Sequence, residues 1–379
     1  MRIAMNLSVL RPGQMGGTEI YVRNLLAGLA GLSNQHEYRI LTATESQGLA
    51  PAGDGRFSEC RVESWLPRIL HKSKHVRHPW QWLATTRELH RFRPDIFHCP
   101  LNIPVPPWCA AANTVITLHD IKFVTNPEML NMPDMGFWRW SLRRGLKFVR
   151  KIITDSHYSK RAIVERLAVD PGLIDVVYIG IDPDFFHSDR IVASSSTRTE
   201  LPSAYLFFPA ATWPYKNHVR LLQALADLRD RRNLHISLVL TGFPETAHRE
   251  VQECLQKHRL EKQVLWLGWI SPAELVYVYH NARALIFPSL YEGFGLPIVE
   301  AFACGCPVLC SNTTSCAEVA ADAALTFDPF NVEEISEKIE IMWSDAEKRR
   351  DFVQKGRARA KEFTSQRMAE NTLKVFASL

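Results

Sequence analysis

Two carboxylates stand eight positions apart in the stretch Tyr291-Glu292-Gly293-Phe294-Gly295-Leu296-Pro297-Ile298-Val299-Glu300. Gly293 and Gly295 allow the backbone to come close to a ligand. Pro297 suits the first helical position, where its missing N–H costs nothing. The amides of Phe294, Gly295 and Leu296 would then sit at a helix N-terminus, a ready anion site. Ala284-Leu285-Ile286-Phe287 reads as a buried strand just before this turn. Two glutamates alone could be solvated loop acids. With the glycines and the strand they suit a ligand that carries both phosphates and sugar hydroxyls.

Three further groups have the chemistry of a site. Gly16-Gly17-Thr18-Glu19 follows the first strand and opens a helix, giving another phosphate-sized concavity, although no G-x-G-x-x-G accompanies it. His119 ends the strand-like Thr117-Leu118, where it could meet a sugar hydroxyl or be a half-buried histidine capped by Asp120. Lys216, in Pro214-Tyr215-Lys216-Asn217, follows the first strand of the second half. It is placed to neutralise phosphate beside helix-terminal amides, or else to be a surface lysine next to an Asn cap.

The elements that must carry these residues alternate. The expected strands of the first half are Arg2–Leu7, Tyr38–Thr42, Ile96–His98, Val115–Leu118, Lys151–Asp155 and Asp175–Tyr178. Those of the second are Tyr205–Pro209, Ile236–Thr241, Val264–Leu267, Ala284–Phe287, Pro307–Cys310 and Ala324–Phe327. Helical patterns lie between them, so the class is α/β, with parallel sheets covered on both faces. A chain of 379 residues exceeds one ordinary core. The serine-rich break near 189–203 reads as a linker between domains 1–188 and 204–361, with the helical segment 362–379 packing back on the first. The result is two Rossmann-like domains facing each other across a cleft. Ligands bind such sheets beyond the carboxyl ends of the strands, where all the motifs fall.

No window is apolar enough to span a bilayer. Met1–Asn6 reads as a strand rather than a secretory signal, so a cytoplasmic protein is expected. The eight cysteines follow no zinc spacing, and Cys304, Cys306, Cys310 and Cys316 read as buried thiols. Net charge is +5. Residues 1–190 hold 24 Lys+Arg against 18 Asp+Glu, so they carry the whole excess.

Taken together, the chain resembles glycosyltransferase family 4, the retaining GT-B enzymes with a Glu-x7-Glu motif, of the bacterial surface-polysaccharide type. The resemblance runs through Gly16–Glu19, Pro94–His98, His119-Asp120, Thr154–Ser159, Gly180–Asp182, Pro214–Asn217, Gly268 and Glu292-x7-Glu300. It implies that Lys216 holds the nucleotide diphosphate and that Glu300 bonds the ribose hydroxyls. Glu292 and the amides of Phe294, Gly295 and Leu296 would hold the donor sugar and its phosphate. Backbone at Trp269 would meet the base, Gly16 and Gly17 would approach the diphosphate and acceptor, and His119 would stand beside the transferred sugar. Many members carry arginines where this chain has Ala211 and Tyr215.

The implied reaction is retaining transfer from a nucleotide sugar to a glycan or lipid-linked glycan, with no cofactor, no metal and no nucleic-acid partner. Competing readings on the same fold are a sugar-nucleotide epimerase, a phosphorylase, or a subunit that has lost turnover. An anionic membrane surface is a further expected partner, at the inner face of the cytoplasmic membrane. In residues 135–151, Phe137, Trp138, Leu142 and Leu146 would share one helical face beside Arg139, Arg143, Arg144 and Lys147. Trp65, Trp80 and Trp82 lie among Arg68, Lys72, Lys74 and Arg77 in a second basic run.

Overall fold

The computed structural model describes residues 1–13, 15–62, 74–102, 113–129, 135–190 and 201–379. Most of the expected linker, and the basic run around Trp65, Arg68 and Lys72, lie outside them. So do the side chains of Lys74, Arg77, Trp80, Phe137 and Trp138. The chain forms two units. Met1–Pro127, Met132–Gly180 and Ser365–Leu379 make the first, and Ile181–Thr364 with Glu128–Asn131 the second.

The first unit is built on a seven-stranded sheet: β1 (Arg2–Asn6), β2 (Glu37–Thr42), β3 (Phe57–Arg61), β4 (Ile96–Cys99), β5 (Asn113–Thr117), β6 (Lys151–Thr154) and β7 (Ile174–Val176). Its helices are α1 (Gly16–Gly31), α2 (Lys74–Phe92), α3 (Lys122–Thr125), α4 (Met135–Gly145) and α5 (His157–Leu167). The strand order is β3-β2-β1-β4-β5-β6-β7, with every pairing parallel. The inner strands are buried along nearly their whole length, as a sheet covered on both faces requires.

The second unit repeats the plan. Its strands are β8 (Leu206–Pro209), β9 (Leu238–Thr241), β10 (Val264–Trp266), β11 (Ala284–Phe287), β12 (Val308–Ser311) and β13 (Leu325–Phe327), in the order β10-β9-β8-β11-β12-β13. The helices that follow in the chain are α6 (His218–Arg232), α7 (His248–Lys257), α8 (Pro272–Asn281), α9 (Leu296–Ala303), α10 (Thr314–Ala320), α11 (Val332–Ser344), α12 (Ala346–Ala360) and α13 (Ser365–Ala377). In both sheets the order reverses beside the first strand, at β1/β4 and at β8/β11. Ligands of doubly wound folds bind at the carboxyl ends of the strands at that reversal.

The last helix, α13, belongs to the first unit and packs on α1. Gly28 is what admits it: a Cβ there would lie 2.1 Å from the carbonyl oxygen of Ser365. Met368, Ala369 and Phe376 are buried in this contact face, and the Phe376 ring lies 5.2 Å from that of His98.

Two expectations change. The sequence suggests no strand at Phe57–Arg61, yet β3 forms there, on the sheet edge. In α4, Leu142 points into the core of the first unit with Ile116, Ile121 and Ile163, and Leu146 packs against the same cluster. Neither contributes to an outward lipid-facing stripe. Among the described side chains of this segment, Trp140, Arg143, Arg144, Lys147, Phe148 and Arg150 are exposed.

Candidate active site

The second unit holds the densest group of expected site residues, at its β8/β11 reversal. Lys216 closes a 3-10 turn, Pro214–Lys216, just after β8, and Glu292 follows β11. The Leu290 N–H donates to the Tyr215 carbonyl at 2.7 Å, which ties the two loops together. Lys216 Nζ donates to Glu292 Oε1 at 2.6 Å. Asn217, in the left-handed region at φ 64°, starts α6 without capping it, and its amide instead donates to the carbonyls of Pro288 and Pro329.

Lys216 is not a surface lysine. Burial pushes its ammonium toward neutrality, but the Glu292 carboxylate beside it prevails, and its pKa stands above the usual lysine value. The rings of Tyr215 and Phe287 lie 5.3 and 5.2 Å from its Nζ. Tyr215 thus lends a π face to this cation. The turn after Glu292 is fastened from α10: the Ser315 hydroxyl donates to the carbonyls of Glu292 and Phe294, and the Glu292 N–H donates to Thr314 Oγ1.

Phe294 is buried, Gly295 caps α9 at φ 101°, and Leu296 is the first helical residue. The amides of Gly295 and Leu296 therefore sit at the N-terminal end of α9. Glu300, one turn further on, is 5% exposed. Its Oε2 accepts the Tyr279 hydroxyl at 2.8 Å, and burial raises its carboxyl to about 7. Trp269, beyond β10, is 66% exposed and follows Gly268, whose φ is 68°.

The remaining expected residues lie in the first unit. Gly16 opens α1 at φ 47°, and a Cβ at this position would meet nothing within 4 Å, so its requirement is the backbone angle rather than crowding. Gly17 follows as the second helical residue, and Glu19 Oε2 accepts the Gly13 N–H at 2.6 Å, folding the loop onto the helix. His119 is not capped by Asp120. Its Nδ1 faces Asp155 Oδ2 at 2.8 Å and its Nε2 faces the Pro100 carbonyl at 3.2 Å. Burial works against charging this ring. Asp155, Asp120 and the Pro100 carbonyl outweigh it and raise the pKa, and two acceptors at the two nitrogens call for an imidazolium. The Tyr21 ring of α1 packs edge-on at 4.5 Å.

Asp155 and Tyr279 are the partners that reading the sequence did not assign. Asp155 could have been found from register: Thr117 pairs with Ile153 across β5 and β6, so His119 and Asp155 are matched two residues beyond. Nothing in the order of residues pairs Tyr279 with Glu300. The chain also holds an Asp-x-Asp triplet, Asp182-Pro183-Asp184, but Asp182 Oδ1 accepts the Asp184 N–H at 2.9 Å and closes its own turn. Among the described residues no three His, Cys, Asp or Glu side chains are grouped as metal ligands.

Comparison with known proteins gives the family of the chain. Residues 15–185 match the family described as Glycosyltransferase Family 4, and residues 193–359 match Glycosyl transferases group 1. O-antigen chain mannosyltransferase B of Escherichia coli is 30% identical over 323 residues, which cover 84% of this chain and 83% of that one. The chain belongs to the family 4 glycosyltransferases. The enzyme is also 28% identical over 248 residues to O-antigen chain mannosyltransferase RfbU of Salmonella typhimurium, covering 65% of each. Among solved structures, Anabaena Alr3699/HepE in complex with UDP and glucose superposes with a TM-score of 0.75 at 17% identity, covering 100% of both chains. WaaG, a glycosyltransferase involved in lipopolysaccharide biosynthesis, does so at 0.71 and 17%, again covering 100% of both. The glycosyltransferase shares their GT-B fold.

Proposed function

We propose that this glycosyltransferase moves mannose from a nucleotide sugar, with retention of configuration, to a glycan or lipid-linked glycan of a cell-surface polysaccharide. The observation that carries the donor site is the Lys216–Glu292 pair at the β8/β11 reversal, beside the start of α9. A cation and helix-terminal amides at one point suit a departing diphosphate, and stabilising that charge is the main catalytic task. On this reading Lys216 takes the diphosphate and Glu300 the ribose. Glu292 and the amides of Phe294, Gly295 and Leu296 take the donor sugar and its phosphate, and backbone at Trp269 takes the base. Gly16 and Gly17 approach the diphosphate and acceptor. His119, held as an imidazolium by Asp155, stands beside the transferred sugar. The two O-antigen mannosyltransferase relatives support mannose and a surface glycan.

The test is transfer from GDP-mannose and from UDP-glucose to a lipid extract, with mass spectrometry and anomeric NMR of the product. Mannose transfer with an α product from the α donor is expected. Transfer from the glucose donor alone refutes the mannose assignment, and an inverted product refutes retention. Unchanged rates in a chelator are expected as well.

The first unit also meets an anionic membrane surface on this reading. Trp140 is 53% and Phe148 39% exposed, next to Arg143, Arg144 and Lys147. Exposed aromatics among cations suit a headgroup zone. Among the described residues no helix is long and apolar enough to cross a membrane. Co-sedimentation with anionic but not neutral vesicles is expected, and equal, negligible binding to both refutes it.

A further inference from the structure

Glu300 is an acid set in an apolar helix. Its neighbours Ile298, Val299, Ala301 and Phe302 are all buried, and its carboxyl accepts the Tyr279 hydroxyl at 2.8 Å. Tyr279 has no solvent exposure and sits edge-on to Phe207 at 4.9 Å and to Phe185 at 6.2 Å. Rings on two sides leave it little rotamer freedom, so its hydroxyl is a fixed donor. Burial and the nearby Glu300 carboxyl push the Tyr279 phenol well above its usual range, so it keeps its proton.

Among the described residues, the groups around this pair supply no cation. From α8 comes Tyr279 itself. Cys304 and Cys306, after α9, are buried, and Cys306 is pushed up to about 12, a neutral thiol. On α12, Arg357 lies against Gly305, while Arg359 donates to the carbonyls of Glu318 and Val319 and pairs with Glu362. Glu318 belongs to α10, the remaining helix against α9. In the segment 183–190, Phe185 is what meets Tyr279, and the charge of Glu300 is set by burial and Tyr279 rather than by Asp184 or His187. The strands β11 and β12 present only apolar residues, Cys310 and Ser311.

We propose that Tyr279 is a positioning residue for Glu300: it holds one carboxyl oxygen so that the other meets a ribose diol, and formation of that contact expels the carboxyl proton. This rests on the assignment of Glu300 to the ribose. The diol brings two O–H donors, and a carboxyl that accepts from them and from Tyr279 is favoured as the anion. The balance is simple: Glu300–COOH and the nucleotide sugar become the carboxylate complex, and one proton passes to the buffer. The raised pKa of Glu300 agrees, since the fold disfavours the charge until donors arrive.

Calorimetry in buffers of different ionisation enthalpy reads the proton directly. The probes are GDP-mannose and UDP-glucose, whose diphosphates are esterified at both ends and do not titrate near neutrality. At pH 7 the wild type should release about half a proton per nucleotide bound, and at pH 9 almost none. Glu300→Gln should bind more weakly and release none. Tyr279→Phe should bind roughly tenfold more weakly and release more than the wild type at pH 7, because the lost O–H favoured the anion. A merely structural tyrosine would lower affinity and leave the proton count unchanged. Buffer-independent heats for the wild type overturn the proposal, as does a Tyr279→Phe count equal to wild type. If Glu300→Gln binds as tightly as wild type, or neither probe binds, the ribose assignment itself fails. Weakened binding in Glu300→Gln, with no proton released by the wild type, sinks only the further step.

Discussion

Truncating Glu292 to alanine strands a cation. The side chains of Lys216 and Glu292 are 15% and 12% exposed, and they meet at 2.6 Å. Removing one partner of a buried ion pair costs about 3–5 kcal/mol, because the other charge is left uncompensated. Here the stranded ammonium keeps the faces of Phe287 and Tyr215, at 5.2 and 5.3 Å. Those ring contacts, present in the wild type too, leave the ammonium partly compensated, so the expected cost lies at the lower end of that range, about 3 kcal/mol. For a unit of this size that lowers the melting temperature by roughly 5–10 °C. Differential scanning calorimetry of Glu292→Ala, Lys216→Met and the double variant measures it. The double variant should be more stable than the sum of the singles predicts, since no charge is left behind. Strict additivity, or a Glu292→Ala melting temperature equal to wild type, would show that the pair does not hold the loops together. Turnover is therefore probed with Glu292→Gln, which leaves Lys216 an acceptor. Loss of transfer in that variant then reports on chemistry rather than on unfolding.

Two other outcomes follow from burial and crowding. Gly28→Ala places a Cβ 2.1 Å from the Ser365 carbonyl oxygen, so α13 must shift or detach. The expected cost is about 3 kcal/mol or more, with proteolytic loss of the C-terminal segment, and a variant as resistant to protease as wild type contradicts the contact. Glu300 holds its proton to about 7 in the fold but loses it at 4.5 when unfolded. Its stabilising contribution is thus full below pH 4.5, declines above it and is gone beyond pH 7. Glu300→Gln does not titrate, so by urea unfolding it should gain on the wild type by about 3 kcal/mol between pH 4.5 and pH 8; a constant difference over that range would contradict the burial of a proton-bearing acid.

How much of this could be read from the residues depends on which interactions are local. The strands buried on both faces announce themselves as continuous apolar runs, and the glycine-marked turn at Glu292 is legible because a turn is specified by its own residues. β3 escapes because an edge strand has one neighbour, and its Ser58, Glu59 and Arg61 are polar as edges require. Leu142 misleads because helical spacing shows that a face is apolar, not whether lipid or protein covers it. The partnerships of His119 with Asp155 and Glu300 with Tyr279 join residues 36 and 21 positions apart. They appear only when strand order and helix packing are known.

The route of the chain has a consequence for how the protein is made. It leaves the first unit at Gly180 and rejoins it at Ser365, after the whole of the second unit has been written. On the ribosome, the face of α1 around Gly28 emerges early and then waits, uncovered, for α13. Vectorial synthesis therefore finishes the earlier-born unit last, and the nascent chain carries an apolar groove throughout the translation of its other half. Slow codons between residues 181 and 364 would lengthen that wait, and a chaperone that shields nascent apolar surface would matter most there.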